Sequence, residues 1–348
     1  CLARRRPRKA LGGMSPSGLL SLTVCFAALY APAGARRAPV GGQPRPAFVG
    51  AAVVPHGDFA FEPALLRRLA PASSVKKAEG LHRGVVAAGA FLELMGTEVL
   101  VLVTPHGLST TSQVSVYGNA HMSGPAHVGS DVNVSFGDGA IGSGWYVGFD
   151  ALGDPALAKR IAAQLNAAVP HSTTLLTGFG DQEPMPLRWG EVLPLRLFFP
   201  MGTTRKIKVV VLSLPRSRMT NSGKMAQTYR RLGAALGTYL DSQSFLSSVV
   251  VSTDLAHTHW ANTTFGQNPN AKDFDQSCGR WAETLNADVF SVQESVVDAV
   301  KSCGWLGLPF LQGAFEATSK RAQWHGSLLA APCAPTYYGM MVATFDRD

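Results

Sequence analysis

Acidic residues are missing from the first fifty positions of this chain, and charged residues make up only 16% of its 348 positions. The formal net charge is +8. The eight Lys and Arg of the first fifty positions account for it, since 31 − 8 leaves 23 basic residues against 23 acidic ones in the remainder. A remainder with balanced charge and no basic stripe lacks the surface that follows the phosphates of a nucleic acid. We therefore expect no nucleic-acid partner.

Cysteine is also scarce, and its spacing argues against a disulfide framework. Five cysteines are present, and none forms a CxxC pair. Cys1 and Cys25 lie near the N-terminus, which leaves an odd number in the rest of the chain: Cys278, Cys303 and Cys333. This pattern suits a reducing compartment, or a secreted protein that does not depend on disulfides.

No apolar run reaches the ~20 residues that a membrane-spanning helix needs. The run 19–30 is shorter, follows a basic stretch at 4–9 and precedes alternating alanines at 31–35, as in a cleavable targeting segment. We predict that residues 1–47 are a basic leader, a targeting peptide followed by a linker, and that the mature protein has no stable membrane span. The leader would direct the protein to the secretory pathway or an organelle. If it is instead a disordered basic tail, we expect a cytoplasmic protein.

Three apolar runs rich in β-branched residues each end in a turn that carries histidine. Near-continuous apolar runs are typical of strands that are buried on both faces of a sheet. The runs are 49–54 before His56, 99–103 before His106, and 247–251 before Asp254 and His257.

Helical periodicity alternates with these strands. We predict a further strand at 207–212, a closing strand at 337–345, and helices at 155–168, at 225–240 and, with a break at 286–288, along 272–300. Alternation of strands and helices predicts an α/β fold. We expect one domain, residues 48–348, with a central and mostly buried sheet covered by helices. Ligands of such sheets bind beyond the carboxyl ends of the strands, where the three histidine turns would meet.

The residue types at this edge indicate metal chemistry. Neutral imidazole is a common ligand of borderline metals, and it also serves as a general base near neutral pH. His56 and His106 each follow a proline and precede a glycine, so short rigid turns would present both rings. Non-haem iron sites combine two histidines with one carboxylate. Asp254 is a candidate either to orient His257 or to supply that carboxylate, and a purely structural role in its turn is the alternative.

Several short motifs together resemble a known family, the class III (LigB-type) extradiol ring-cleavage dioxygenases. The resemblance covers residues 48–346. It rests on the two strand-His-Gly turns, Ser-Thr-Asp-Leu-Ala-His at 252–257, Phe-Asp at 274–275, Cys-Gly at 303–304 with Gly-Ala at 313–314, and Tyr-Tyr-Gly at 337–339.

The resemblance implies a LigB-like fold and a non-haem Fe(II) enzyme. His56 and His106 would bind the iron, and His257 would act as acid and base on a small catecholic substrate that is cleaved with O2. The activity would be that of an oxidoreductase of aromatic compound metabolism that incorporates O2 into a single donor. Some relatives assemble from two chains, so a homo- or hetero-oligomer is compatible with the resemblance.

Two positions depart from the dioxygenase pattern. Where relatives supply a late third ligand, usually a carboxylate, this chain has Cys303, as in the Memo branch of the superfamily. Cys303 is therefore a candidate metal ligand, with a small buried structural cysteine as the alternative. Glu316 is the nearest late carboxylate and a weaker candidate. Where many relatives carry Asp-His-Gly, this chain has Arg-Trp-Gly at 188–190. Two other functions therefore stay open: a Memo-like metal- or partner-binding redox or signalling protein, and a zinc-dependent hydrolase. For His259 we expect a surface position, with a role as a ligand as the alternative, and for Glu62 a cap or a salt bridge in preference to metal binding.

Overall fold

The computed structural model describes residues 46–136, 144–319 and 323–348. The predicted leader, residues 1–47, therefore lies almost entirely outside the described residues. Within them, eleven strands form one mixed sheet. The strands are β1 (Phe48–Val54), β2 (Val99–Thr104), β3 (Val114–Tyr117), β4 (His121–Val128), β5 (Trp145–Leu152), β6 (Thr173–Leu176), β7 (Met185–Pro186), β8 (Thr203–Ser213), β9 (Ser247–Ser252), β10 (Trp324–Cys333) and β11 (Met340–Arg347).

Helices connect these strands and cover both faces of the sheet. They are α1 (Asp58–Phe61), α2 (Ala72–Leu94), α3 (Ser130–Phe136), α4 (Pro155–Ala168), α5 (Trp189–Phe198), α6 (Arg218–Asp241), α7 (Ala271–Thr284), α8 (Val289–Val300) and α9 (Gly307–Thr318), with short 3-10 helices at Pro63–Leu66 and Gly178–Asp181. Among the described residues, no helix combines the length and the apolar character needed to cross a membrane.

The sheet runs in the order β10-β11-β1-β9-β2-β8-β5-β4-β7, and β3 pairs with both β6 and β8. The central strands β1, β9, β2 and β8 are mutually parallel. The antiparallel pairs of β11 with β1 and with β10 close one edge. Because neighbouring parallel strands end at the same edge, this order places the turns after β1, β9 and β2 side by side.

Alternate side chains of the central strands pack into two separate cores, one on each face of the sheet. In β2, for example, Val101 and Val103 face the core under α4 and α6–α9, whereas Leu100 and Leu102 face the core under α2 and α5. Successive side chains of a strand point to opposite faces, so a strand that is apolar at every position must be covered on both. The predicted α/β class, with a buried sheet between helices, is confirmed.

The predicted strands and helices agree with the structure where a clear apolar pattern marks them in the sequence. The helix at 155–168 and the break between α7 and α8 are confirmed, and the strand at 207–212 forms part of the longer β8. The closing strand was predicted to start too early, because residues 337–339 form a turn that belongs to the site and β11 begins at Met340.

Candidate metal centre

The site lies at the carboxyl edge of β1, β9 and β2. The parallel register pairs Val54 with Ser252 and Val103 with Val251, so the three strands end at the same level. The next residues of each chain segment carry the polar groups of the site. The rings of His56 and His106 meet edge to face, with centroids 4.7 Å apart and planes at 83°.

A hydrogen-bond chain decides which nitrogen of His56 is free to bind a metal. The Ser252 hydroxyl donates its single proton to the carbonyl of Gly190, at 2.7 Å. Its oxygen lies 2.9 Å from His56 Nδ1 and must therefore accept a proton from that nitrogen. His56 is then protonated at Nδ1 and carries its lone pair on Nε2. Metal-binding histidines are commonly oriented by such a partner on the other nitrogen.

Cys303 completes a three-residue donor set. Its Sγ lies 3.4 Å from His56 Nε2. Among the described residues, His56, His106 and Cys303 form a group whose donor atoms all lie within 4.8 Å of one another. The buried guanidinium of Arg218 donates to the carbonyl of Cys303 at 3.0 Å and to that of Pro215 at 2.8 Å, which holds the loop that carries the thiol. Burial raises the pKa of the Cys303 thiol, so the thiol keeps its proton unless a cation displaces it.

The Asp254 carboxylate, like the Cys303 thiol, lies close to Nε2 of His56. Its Oδ1 accepts the His56 backbone N–H at 3.2 Å, and its Oδ2 lies 3.5 Å from His56 Nε2. Burial raises the pKa of Asp254, and the nearby carboxylates of Asp131 and Asp58 raise it further. A buried carboxylate beside two histidines and a thiol is one more donor within reach of a cation, so the donor set fits a transition metal ion.

All three strand-end histidines are neutral near pH 7. Burial, followed by smaller effects of neighbouring charges, lowers the pKa of His56 and of His257 to about 3 and that of His106 well below 6.5. Neutral imidazole is the form that binds metals and accepts protons. The site therefore needs no deprotonation of histidine before a metal binds.

His257 is close enough to the donor set to lower the pKa of His56, and one of its ring nitrogens is free. Its Nε2 is buried and has no hydrogen-bond partner among the described residues. The ring packs edge to face on Tyr338, with centroids 4.6 Å apart, and Phe265 lies 5.9 Å away. A buried polar atom without a partner is costly in a folded protein and commonly marks a binding or catalytic position. Nε2 of His257 is therefore available to a ligand.

The turn that carries His257 is fixed by a buried carboxylate. Asp275 accepts the Ala256 backbone N–H at 2.9 Å through Oδ1, and its Oδ2 lies 2.7 Å from His259 Nε2. The prediction of a surface position for His259 is thus wrong, because the ring is only 15% exposed and is tied to Asp275. Gly339 exchanges backbone hydrogen bonds with Leu255 and Ala256, at 2.6 and 2.7 Å. These contacts fix the distance between the His257 turn and Tyr338.

The hydrogen bonds of Asp275 and Gly339 that hold the His257 turn are called the Asp275 clamp below. Replacing Gly339 with alanine tests this clamp. A Cβ at position 339 would overlap the Asp275 carboxylate, which is buried and held by two partners and so cannot easily move aside. We expect a loss of about 1–3 kcal/mol in the free energy of unfolding, the usual cost of overpacking. Denaturant unfolding measures it, with Gly148→Ala as the control, since a Cβ at Gly148 meets nothing within 4 Å. Equal stability of the two variants would contradict the clamp.

Other candidates are placed away from the donor set. Glu316 lies on α9 and pairs with Arg230, whose Nε donates to Oε2 at 2.7 Å, so the structure does not bring it to the site as a third ligand. Glu62 accepts the Ala64 N–H and caps the short 3-10 helix, as predicted. Sequence reasoning missed the roles of Ser252 and Arg218 because both act through contacts with residues distant in sequence.

Comparison with known proteins gives one family match. Residues 63–331 match the family described as the catalytic LigB subunit of aromatic ring-opening dioxygenase. The matched segment contains His106, Asp254, His257 and Cys303, whereas His56 precedes it. No curated protein matches the chain.

Proposed function

The chain belongs to the LigB family of catalytic subunits of aromatic ring-opening dioxygenases, and from this membership we propose that it is a non-haem Fe(II)-dependent extradiol dioxygenase. Its substrate would be a small catecholic aromatic, cleaved with O2 beside the two hydroxyl groups. The observation that carries the proposal is the convergence of His56, His106 and Cys303, whose donor atoms lie within 4.8 Å of one another.

Four side chains would hold the iron or face it. His56 presents Nε2 because Ser252 engages Nδ1. His106 and the Cys303 thiol are the other donors, and Asp254 adds a carboxylate 3.5 Å from His56 Nε2. When bound, Fe(II) supplies the redox chemistry and the positions for substrate and O2 that side chains alone lack.

His257 supports the proposal as the group that moves protons. Its Nε2 has no partner in the described part of the chain, and the low pKa that burial imposes keeps it neutral. A neutral nitrogen can accept a proton from a catechol hydroxyl and return it to the product. Tyr338 and the Asp275 clamp hold the ring in place for this transfer.

Metal analysis followed by oxygen uptake tests the proposal. The protein is purified, reconstituted anaerobically with Fe(II), freed of unbound metal and analysed for iron, and O2 consumption is then measured against a panel of catechols. Stoichiometric iron with uptake that depends on the catechol supports an extradiol dioxygenase. Bound metal without uptake contradicts it, and absence of bound metal contradicts the metal centre itself.

A second function is favoured by Cys303. Thiolate is a soft ligand, typical of zinc and copper sites more than of non-haem oxygenases. A Memo-like redox or signalling protein would keep this His-His-Cys centre without ring cleavage, and a zinc hydrolase would use it with water. Elemental analysis of the protein as purified, before it is loaded with Fe(II), separates these alternatives, since zinc or copper in place of iron would favour them.

Replacing Cys303 with serine tests the thiol as a ligand. With Co(II) as an optical probe, we expect the unaltered protein to show the near-ultraviolet charge-transfer band of a cobalt thiolate. The band should be absent from Cys303→Ser. Cys333→Ser, which removes a half-buried thiol outside the donor set, should keep it. Persistence of the band in Cys303→Ser would rule out Cys303 as a ligand.

A further inference from the structure

We propose that the first turn of α5 positions both histidine ligands, and that Trp189 orients His106 by stacking on its ring. The proposal rests on the metal centre described above and adds residues that touch its ligands from outside. Three consecutive residues carry it: Trp189, Gly190 and Glu191. Trp189 and Gly190 contact the His106 turn, and Glu191 ties this segment to the loop after His106.

Trp189 covers the most accessible ligand. His106 is the only partly exposed member of the donor set, whereas His56 and Cys303 are buried. The indole of Trp189 stacks on the His106 imidazole, with centroids 4.5 Å apart and planes at 28°. Trp189 is itself 40% exposed, so this contact is made at the surface of the site. A stacked indole limits rotation of the imidazole and keeps water from one of its faces.

Gly190 brings the helix close to both histidines. Its carbonyl accepts the Ser252 hydroxyl, whose oxygen in turn accepts from His56 Nδ1. A Cβ at position 190 would lie 2.8 Å from His106 Cβ and 2.9 Å from Thr104 Oγ1. The backbone can approach the His106 turn this closely only because residue 190 has no side chain.

Glu191 anchors the turn to the loop after His106. Its Oε2 accepts the Arg188 backbone N–H at 2.8 Å, which satisfies one of the free backbone donors at the start of α5. Its Oε1 accepts the Tyr117 hydroxyl at 3.1 Å, and that hydroxyl accepts the Leu108 N–H. The side chain of Glu191 is fully buried. The start of α5 is therefore tied to the residues that immediately follow His106.

The two histidines are thus oriented from one short segment by different means. His56 is held by a hydrogen bond that passes through Ser252 to the Gly190 carbonyl, and His106 is held by the Trp189 ring. Removing an orienting partner of a metal ligand typically weakens metal binding 10–100-fold, although the ligand itself remains. Loss of the Trp189 ring is expected to have an effect at the lower end of this range.

The test compares Trp189→Ala, Trp189→Phe and Trp145→Ala. Trp145 has similar exposure, 41%, but lies on β5, so its variant controls for loss of a surface tryptophan. The metal-free proteins, labelled selectively on histidine, are compared by NMR, because the Trp189 ring current shifts the His106 ring signals. Co(II) affinity is then measured by competition with a chelator.

We expect Trp189→Ala to move the His106 signals towards those of a free histidine and to weaken Co(II) binding about tenfold. Trp189→Phe should keep the His106 signals and the Co(II) affinity close to those of the unaltered protein. Trp145→Ala should change neither readout. Unchanged His106 signals, or unchanged Co(II) affinity, in Trp189→Ala would overturn the inference. Failure of the unaltered protein to bind Co(II) would overturn the proposed function instead, and the histidine signals of the metal-free proteins would then decide whether Trp189 orients His106.

Discussion

Replacing His106 with alanine is expected to abolish stoichiometric metal binding. The variant removes one of three donors that lie within 4.8 Å of one another. His56, Cys303 and the nearby Asp254 carboxylate then lack the second imidazole that a tightly bound ion needs here. We expect metal affinity to fall at least about 100-fold, beyond the loss caused by removing an orienting partner. The measurement is elemental analysis after anaerobic loading with Fe(II) and removal of unbound metal.

Two further variants make this result specific. His56→Ala should lose metal to the same extent, although this residue lies outside the segment that matches the family. His325→Ala removes an exposed histidine whose partner is Asp348, and it should bind metal like the unaltered protein. Folding of each variant is checked by its thermal transition. Stoichiometric iron in a folded His106→Ala protein would show that the donor set is not the metal site.

Burial pattern is what made the fold predictable. Apolar runs such as 99–103 can be covered only between two layers of helices, and alternation of strands with helices then implies parallel neighbours. β10 was not predicted, because it is an edge strand whose side chains are mostly partly exposed and show no clear alternation. The start of β11 was missed for a related reason, since residues 337–339 are buried like a strand but serve the site.

The candidate site was predictable only in part. A histidine that directly follows a buried parallel strand must lie at the carboxyl edge of the sheet, so His56 and His106 could be expected at one edge. Cys303 reaches them from the loop before α9, and no spacing in the sequence shows that its thiol would lie 3.4 Å from His56. Trp189 is a similar case, because a tryptophan at the start of a helix carries no signal that it stacks on a histidine from another segment.

The hydrogen bonds that orient the metal ligands are a second reason why the sequence predicted the site only in part. Ser252 is the last residue of a buried strand, where a serine is unremarkable by pattern. Its role depends on the Gly190 carbonyl, which accepts its proton and so leaves the oxygen to accept from His56. Partners that lie about sixty and two hundred residues away in the chain can be identified only from the folded structure.

Replacing His257 with glutamine is expected to stop turnover and leave the metal in place. His257 does not belong to the donor group of His56, His106 and Cys303, so iron content should stay stoichiometric. Its free Nε2 is the nitrogen proposed to receive the catechol proton, and glutamine cannot replace it as a base. Loss of a general base usually costs 10²–10⁴ in rate, and we expect a fall in kcat of about that size.

The experiment on His257→Gln must measure the binding of iron and catechol separately from turnover. Iron content and anaerobic binding of a catechol, followed by its optical spectrum, should be close to those of the unaltered protein, while O2 uptake falls. His121→Gln, which alters an exposed histidine at the start of β4, should keep full uptake. Full turnover in His257→Gln would remove this residue from the proton transfers. Loss of iron would instead make His257 a ligand, and the proton acceptor would then have to be sought among the other groups of the site.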